Sequence, residues 1–180
     1  AEMIRRGKDC EALVIANTPF PAEAVSGCPR LRLLNVAFTG VDHVALAACR
    51  AQGVTVCNAA GYSDAAVAEM TLALTLSVLR RVPRGDRAAR EGAALPAGRE
   101  IAGKTVGVIG TGRIGLRVAR LFQAFGARVI AFSRTVRPEA QAMGIVYLPL
   151  AQVLAQSDIV TLHVPGGDAT RGMIGADELA

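Results

Sequence analysis

The chain has 180 residues, of which 52% are apolar, enough to bury a real core in one large domain or two small ones. Its formal charge of +5 rests on eighteen arginines and two lysines against fifteen acidic residues, with few aromatics and no tryptophan. Cations without interleaved aromatic residues or a recognisable reading-head fold argue against a nucleic-acid partner, and the core has to be built from Val, Leu, Ile and Ala.

The opening residues 1–9 form a charged, helix-like segment. Residues 12–16 (Ala-Leu-Val-Ile-Ala) read as a compact strand, ended by the turn-forming Asn17-Thr18-Pro19-Phe20-Pro21. A short helix over 21–26, a strand over 31–38, a helix over 41–52 closed by Gly53, and a strand over 54–58 follow. Strands alternating with helices imply a parallel sheet. A helix over 64–80 comes next, with Asp64 as its expected N-cap and apolar residues on more than one side. Residues 82–100, rich in Arg, Gly, Ala and Pro, read as an irregular exposed connection.

The stretch after residue 104 carries the chemistry. Thr105, Val106, Val108 and Ile109 supply a β-branched run suited to a buried parallel strand, and Gly-Thr-Gly-Arg-Ile-Gly follows at 110–115. Val118, Leu121, Phe122 and Phe125 then recur at helical spacing, with Gly126 where a left-handed cap belongs. In such a turn Gly110 permits the tight bend, Gly112 lets the backbone approach a pyrophosphate, and Gly115 allows helix and strand to pack closely. Free N–H groups and the helix dipole favour the negative charge. Strands over 128–132, 145–147 and 159–164, with helices over 138–144 and 150–156, complete the pattern.

Cys10, Cys28, Cys49 and Cys57 are widely spaced, with no CxxC pair and no matching histidines. That argues against a metal site or a disulfide framework and for reduced thiols in a cytoplasmic protein. No signal peptide is visible, and the most apolar run, residues 65–79, contains Glu69 and is too short to span a bilayer. A membrane partner is not expected.

Three stretches together resemble the D-isomer-specific 2-hydroxyacid dehydrogenases, such as phosphoglycerate dehydrogenase and glyoxylate/hydroxypyruvate reductase. One is the glycine turn. The second is Leu154-Ala155-Gln156-Ser157-Asp158-Ile159-Val160-Thr161-Leu162-His163-Val164-Pro165, with Thr170-Arg171-Gly172-Met173-Ile174-Gly175 behind it. The third joins Ala37-Phe38-Thr39-Gly40-Val41-Asp42 to Asn58-Ala59-Ala60-Gly61 and Val67-Ala68-Glu69. The resemblance implies an α/β fold of two Rossmann-like, doubly wound parallel-sheet domains, both incomplete. Residues 1–62 would be a substrate domain lacking its first strand, and residues 63–180 an NAD(P)-binding domain lacking its C-terminal half.

By the same resemblance, Phe38, Thr39 and Gly40 offer backbone N–H groups to a substrate carboxylate, although Gly40 can also serve simply as a turn. Gly110, Gly112, Arg113, Ile114 and Gly115 hold the cofactor, joined by His163, Val164, Pro165 and Thr170. His43 and His163 are read as structural or cofactor-pocket residues rather than bases. The family's catalytic arginine, glutamate and histidine have no counterpart here and are expected beyond Ala180, so the chain by itself is expected to be inactive. The implied reaction is hydride transfer between a nicotinamide and a small D-2-hydroxy or 2-oxo acid. Hydroxypyruvate or glyoxylate reduction is favoured, with phosphoglycerate oxidation and D-lactate formation also open. A homodimer through the cofactor domain would involve residues 65–79 and the arginine-rich 80–90. The alternative is a non-catalytic dinucleotide-sensing module, like the C-terminal-binding corepressor.

NAD-preferring folds place Asp or Glu at the end of the second strand, where it binds the adenosine ribose. Here that position is Ser133, followed by Arg134 and Thr135. Without the carboxylate a 2′-phosphate is not repelled, and Arg134 can pair with it, so NADP is expected over NAD.

Overall fold

The computed structural model describes residues 1–95 and 97–179; Pro96, in the stretch expected to be irregular, lies outside them. The chain divides into two compact units, the first made of Ala1–Ser63 with Pro165–Arg171, the second of Asp64–Val164 with the segment from Gly172 on.

The first unit contains α1 (Glu2–Gly7), β1 (Ala12–Ile15), α2 (Ala22–Ser26), β2 (Leu33–Val36), α3 (Leu46–Ala51) and β3 (Thr55–Asn58). Its sheet runs β1-β2-β3, all parallel, with Ala12 opposite Leu33 and Leu33 opposite Thr55. Alternation sets its core: Leu34 and Val36 are buried while Leu33 and Asn35 face outward. Phe20, Val25, Leu31, Cys28 and Cys49 fill the space beside them. Burial pushes the Cys28 and Cys49 thiols up, so both behave as small apolar groups.

The helix expected over 41–52 is shorter, and the cause lies far from it in sequence. Phe20, fully buried, donates its N–H to His43 O at 2.8 Å and accepts from Ala45 N–H at 2.9 Å. This bridge at Val44 takes residues 43–45 out of the helical path, and α3 starts only at Leu46. His43 therefore precedes the helix, and its Nε2 lies 2.9 Å from Ala16 O.

The second unit opens with α4 (Asp64–Leu79) and α5 (Val82–Glu91). Residues 82–91 are thus helical rather than irregular. Pro83 is preset for a first turn, Gly92 closes the helix in a left-handed conformation, and Arg90 pairs with Asp86 one turn earlier. Arg81, between the two helices, is itself left-handed at φ 54°, a conformation that costs an L residue roughly 1–2 kcal/mol.

The remainder is β4 (Thr105–Ile109), α6 (Arg113–Ala124), β5 (Arg128–Phe132), α7 (Pro138–Ala142), β6 (Val146–Tyr147), α8 (Leu150–Gln156), β7 (Ile159–Leu162) and α9 (Ala176–Leu179). Every strand pair is parallel, in the order β6-β5-β4-β7. The two faces of β4 carry different helices. Val106 and Val108 pack with Val118, Ala119 and Phe122 of α6. A Cβ at Gly107, on the opposite face, would strike Val153 of α8 and Ser157, which caps it. Helices on both faces of a parallel sheet make the unit doubly wound. On α4, Leu72, Leu76 and Leu79 pack on this core, whereas Val67, Met70, Leu74 and Val78 form an exposed stripe at helical spacing. No helix of the described residues is long and apolar enough to cross a membrane.

Candidate functional site

The order β6-β5-β4-β7 fixes where a ligand can bind in the second unit. From β4 the chain winds outward to β5 and β6, then returns through α8 to place β7 on the other side of β4. A crevice opens outside the carboxyl ends of the strands at such a reversal, and dinucleotides occupy it. The glycine turn leaves β4 at this point, and His163 and Val164 leave β7 beside it. A Cβ on Gly110 would lie 2.5 Å from His163 O.

Each glycine of the turn does a distinct job. Gly110 sits at φ +93°, where only glycine is unstrained, and donates its N–H to Phe132 O at 2.7 Å. A Cβ on Gly115 would run into the carbonyl oxygen of Gly110. The turn thus folds back on the first helical turn, and Gly115 serves turn-to-helix contact as much as strand-to-helix packing. Gly112 differs: nothing lies within 4 Å of the Cβ position, so the protein itself does not require glycine there. It is the N-cap of α6, and no side chain caps that end, which leaves the first-turn N–H groups for a ligand. An open cradle beside free backbone donors fits a dinucleotide pyrophosphate.

Arg113 and Ile114 open α6, and the Arg113 side chain has a partner. Its Nε donates to Asp64 Oδ2 at 2.6 Å. Asp64, 5% exposed, is the first residue of α4 rather than its N-cap, so its charge neutralises Arg113 while favouring the α4 N-terminus. The guanidinium head is otherwise largely exposed, with donors to spare. The sequence offers little to signal this pair, because the partners are 49 residues apart.

Ser133, Arg134 and Thr135 occupy the loop directly after β5, Ser133 half-buried and the other two exposed. No carboxylate stands at that position. Tyr147, not foreseen as a site residue, donates its hydroxyl to Thr111 Oγ1 at 2.7 Å inside the glycine turn.

His163 is half-buried, with Nε2 2.9 Å from Thr161 Oγ1. Burial holds its imidazole below the ordinary value of 6.5, so it stays neutral at pH 7. Because the folded pKa lies below the unfolded one, the unfolded chain takes the proton first as pH falls. Stability is therefore full above about pH 6.5 and declines below it. His163→Gln should flatten this decline in urea unfolding compared between about pH 7.5 and 5.5; an unchanged pH dependence would remove His163 as its source.

Pro165 and Thr170 are not in the same compact unit as the glycine turn. They lie in the segment that clusters with the first unit, where Thr170 Oγ1 donates to Pro165 O at 2.6 Å. In the first unit, Phe38, Thr39 and Gly40 follow the carboxyl end of β2. Asn58 Nδ2, at the end of β3, donates to Thr39 O at 2.7 Å, and Tyr62 stacks edge-on against Phe38 at 6.1 Å. Among the described residues, the Thr39 hydroxyl is the one buried side-chain polar atom without a hydrogen-bond partner. A group left so is costly unless a ligand or water completes it. No cluster of three or more His, Cys, Asp or Glu suited to a metal occurs among the described residues.

Residues 72–180 match the model of the D-isomer specific 2-hydroxyacid dehydrogenase NAD binding domain. The chain belongs to this family. A glyoxylate reductase of Korarchaeum cryptofilum is 34% identical over 98% of the chain and 56% of its own length. A D-3-phosphoglycerate dehydrogenase of Archaeoglobus fulgidus is 36% identical over 97% of the chain and 34% of its own length. The crystal structure of D-lactate dehydrogenase from Aquifex aeolicus, complexed with NAD and lactic acid, superposes with a TM-score of 0.94. It is 32% identical and covers 98% of the chain and 54% of that structure. The chain thus spans between a third and somewhat over half of these relatives.

Proposed function

We propose that this 2-hydroxyacid dehydrogenase chain belongs to an NADPH-preferring reductase of small 2-oxo acids, with hydroxypyruvate and glyoxylate as the first substrates to test. The observation that carries the reading is the end of β5: Ser133, Arg134 and Thr135 stand where an NAD-preferring fold needs a carboxylate. A bound nicotinamide supplies the hydride, and the chain's own residues bind and orient. The N–H groups behind Gly112, with Arg113 and Ile114, hold the pyrophosphate, while His163 and Val164 line the crevice. By family resemblance Pro165 and Thr170 are also assigned to cofactor binding. Arg134 pairs with the 2′-phosphate, and Ser133 and Thr135 donate hydrogen bonds to it.

Residues 1–62 then form the substrate domain and residues 63–180 the cofactor domain. The N–H groups of the Phe38–Thr39–Gly40 loop receive the substrate carboxylate, and the unpartnered Thr39 hydroxyl supports a polar ligand there. The exposed stripe of Val67, Met70, Leu74 and Val78 on α4 fits a second copy of the chain, making a homodimer through the cofactor domain. Four free cysteines fit a reducing compartment, the cytoplasm.

Fluorescence titration with NADPH and NADH tests the reading. A charge-assisted bond is worth about 1.5–3 kcal/mol, so Arg134→Ala should weaken NADPH roughly tenfold or more and leave NADH within about twofold. Equal affinity of the wild type for the two cofactors would sink the preference. Turnover of hydroxypyruvate and glyoxylate against pyruvate and 3-phosphohydroxypyruvate, in the full-length protein, ranks the substrates.

A further inference from the structure

One hydroxyl in the second unit joins two parts of the proposed cofactor site. Tyr147 ends β6. Its phenol donates to Thr111 Oγ1 at 2.7 Å and accepts the Arg137 backbone N–H at 3.1 Å. Thr111 lies between Gly110 and Gly112 and is 1% exposed. Arg137 is the N-cap of α7, held extended by the proline that follows it. The phenol therefore connects the pyrophosphate turn to the far end of the 133–137 loop.

That loop has little else to fix it. Among the described residues, no backbone N–H of 133–136 donates a hydrogen bond, and residues 134–137 are exposed. Its near end is set by β5, which also anchors the turn through the Gly110 N–H on Phe132 O. Its far end is held by Tyr147 together with α7, where the Ala140 and Gln141 N–H groups donate to Arg137 O at 3.0 and 3.2 Å. Each tie at the ends of a five-residue loop narrows the conformations that the loop samples.

We infer that Tyr147 is a positioning residue for cofactor discrimination: its hydroxyl sets the 133–137 loop against the glycine turn at the spacing of pyrophosphate and 2′-phosphate. The inference rests on the reading of Ser133, Arg134 and Thr135 as the 2′-phosphate ligands. A ligand gripped by both turn and loop gains from their fixed separation, whereas one gripped mainly by the turn gains little. The hydroxyl therefore matters more for NADPH than for NADH.

The test is Tyr147→Phe, which keeps the ring and its packing, titrated with NADPH and NADH in the full-length protein. Removing a bridge worth about 1 kcal/mol should lower the ratio of NADPH to NADH affinity roughly fivefold. Thr111→Val should lower it similarly, and Thr111→Ser, which keeps the acceptor, should retain it. A ratio unchanged in Tyr147→Phe, whether both cofactors weaken together or neither does, overturns the inference and leaves Tyr147 a packing residue. The wild-type ratio scores the NADPH reading separately. A wild type that favours NADPH with an unchanged ratio in Tyr147→Phe defeats this inference alone.

Discussion

Gly115→Ala is expected to cost the second unit about 3 kcal/mol, toward the upper end of what overpacking does. The added methyl would occupy the place of the Gly110 carbonyl oxygen, and a backbone atom cannot swing aside as a side chain can. Moving that carbonyl is obstructed in turn. Gly110 is held at φ +93°, its N–H is bonded to Phe132 O, and the space above it is filled by His163 O. Strain therefore passes from α6 through the turn into both β5 and the end of β7. Against a typical total of about 5–15 kcal/mol, such a loss is large, and a midpoint lower by roughly 10–15 °C follows for a unit of this size. Thermal and urea unfolding followed by circular dichroism measure it. A variant within about 1 kcal/mol of wild type would mean that the turn yields, and that Gly115 is not fixed by packing.

The turn was legible in the sequence because its constraints are local. A β-branched run, three glycines at fixed spacing and a helical repeat of Val118, Leu121 and Phe122 sit within twenty residues, and each agrees with the others. The strand within 31–38 and the left-handed Gly126 were readable for the same reason. What escaped was set by distant partners. Residues 43–45 leave the helical path because Phe20 captures their backbone, and no pattern within 41–52 records this. Asp64 has the residue type and place of a helix cap, yet its carboxylate is taken by Arg113 from another helix. The hydroxyl of Tyr147 finds Thr111 only once β6 lies two strands from β4. The helix at 82–91 is a different kind of miss. Pro83 and Gly92 did mark its ends, but Gly85 and the density of arginine gave it the composition of a loop.

Gly112→Ala should separate the two roles of the glycines, because it is expected to leave the fold intact and remove the ligand. The Cβ position is open, and the backbone at φ −71°, ψ −168° is one any residue adopts. Glycine is a better N-cap than alanine, so the variant should lose roughly 0.5–1 kcal/mol, well short of the loss expected for Gly115→Ala. The same methyl would stand in front of the free N–H groups of the first turn of α6, where a phosphate oxygen has to come within hydrogen-bond distance. Two charge-assisted bonds lost at about 1.5 kcal/mol each correspond to a dissociation constant raised roughly a hundredfold or more. NADPH and NADH should suffer alike, since both carry the pyrophosphate. That equal loss distinguishes this variant from Arg134→Ala, which acts on one cofactor. Titration beside a melting curve decides it. Binding retained within about threefold by the folded variant would move the pyrophosphate away from this turn, and the proposed cofactor site with it.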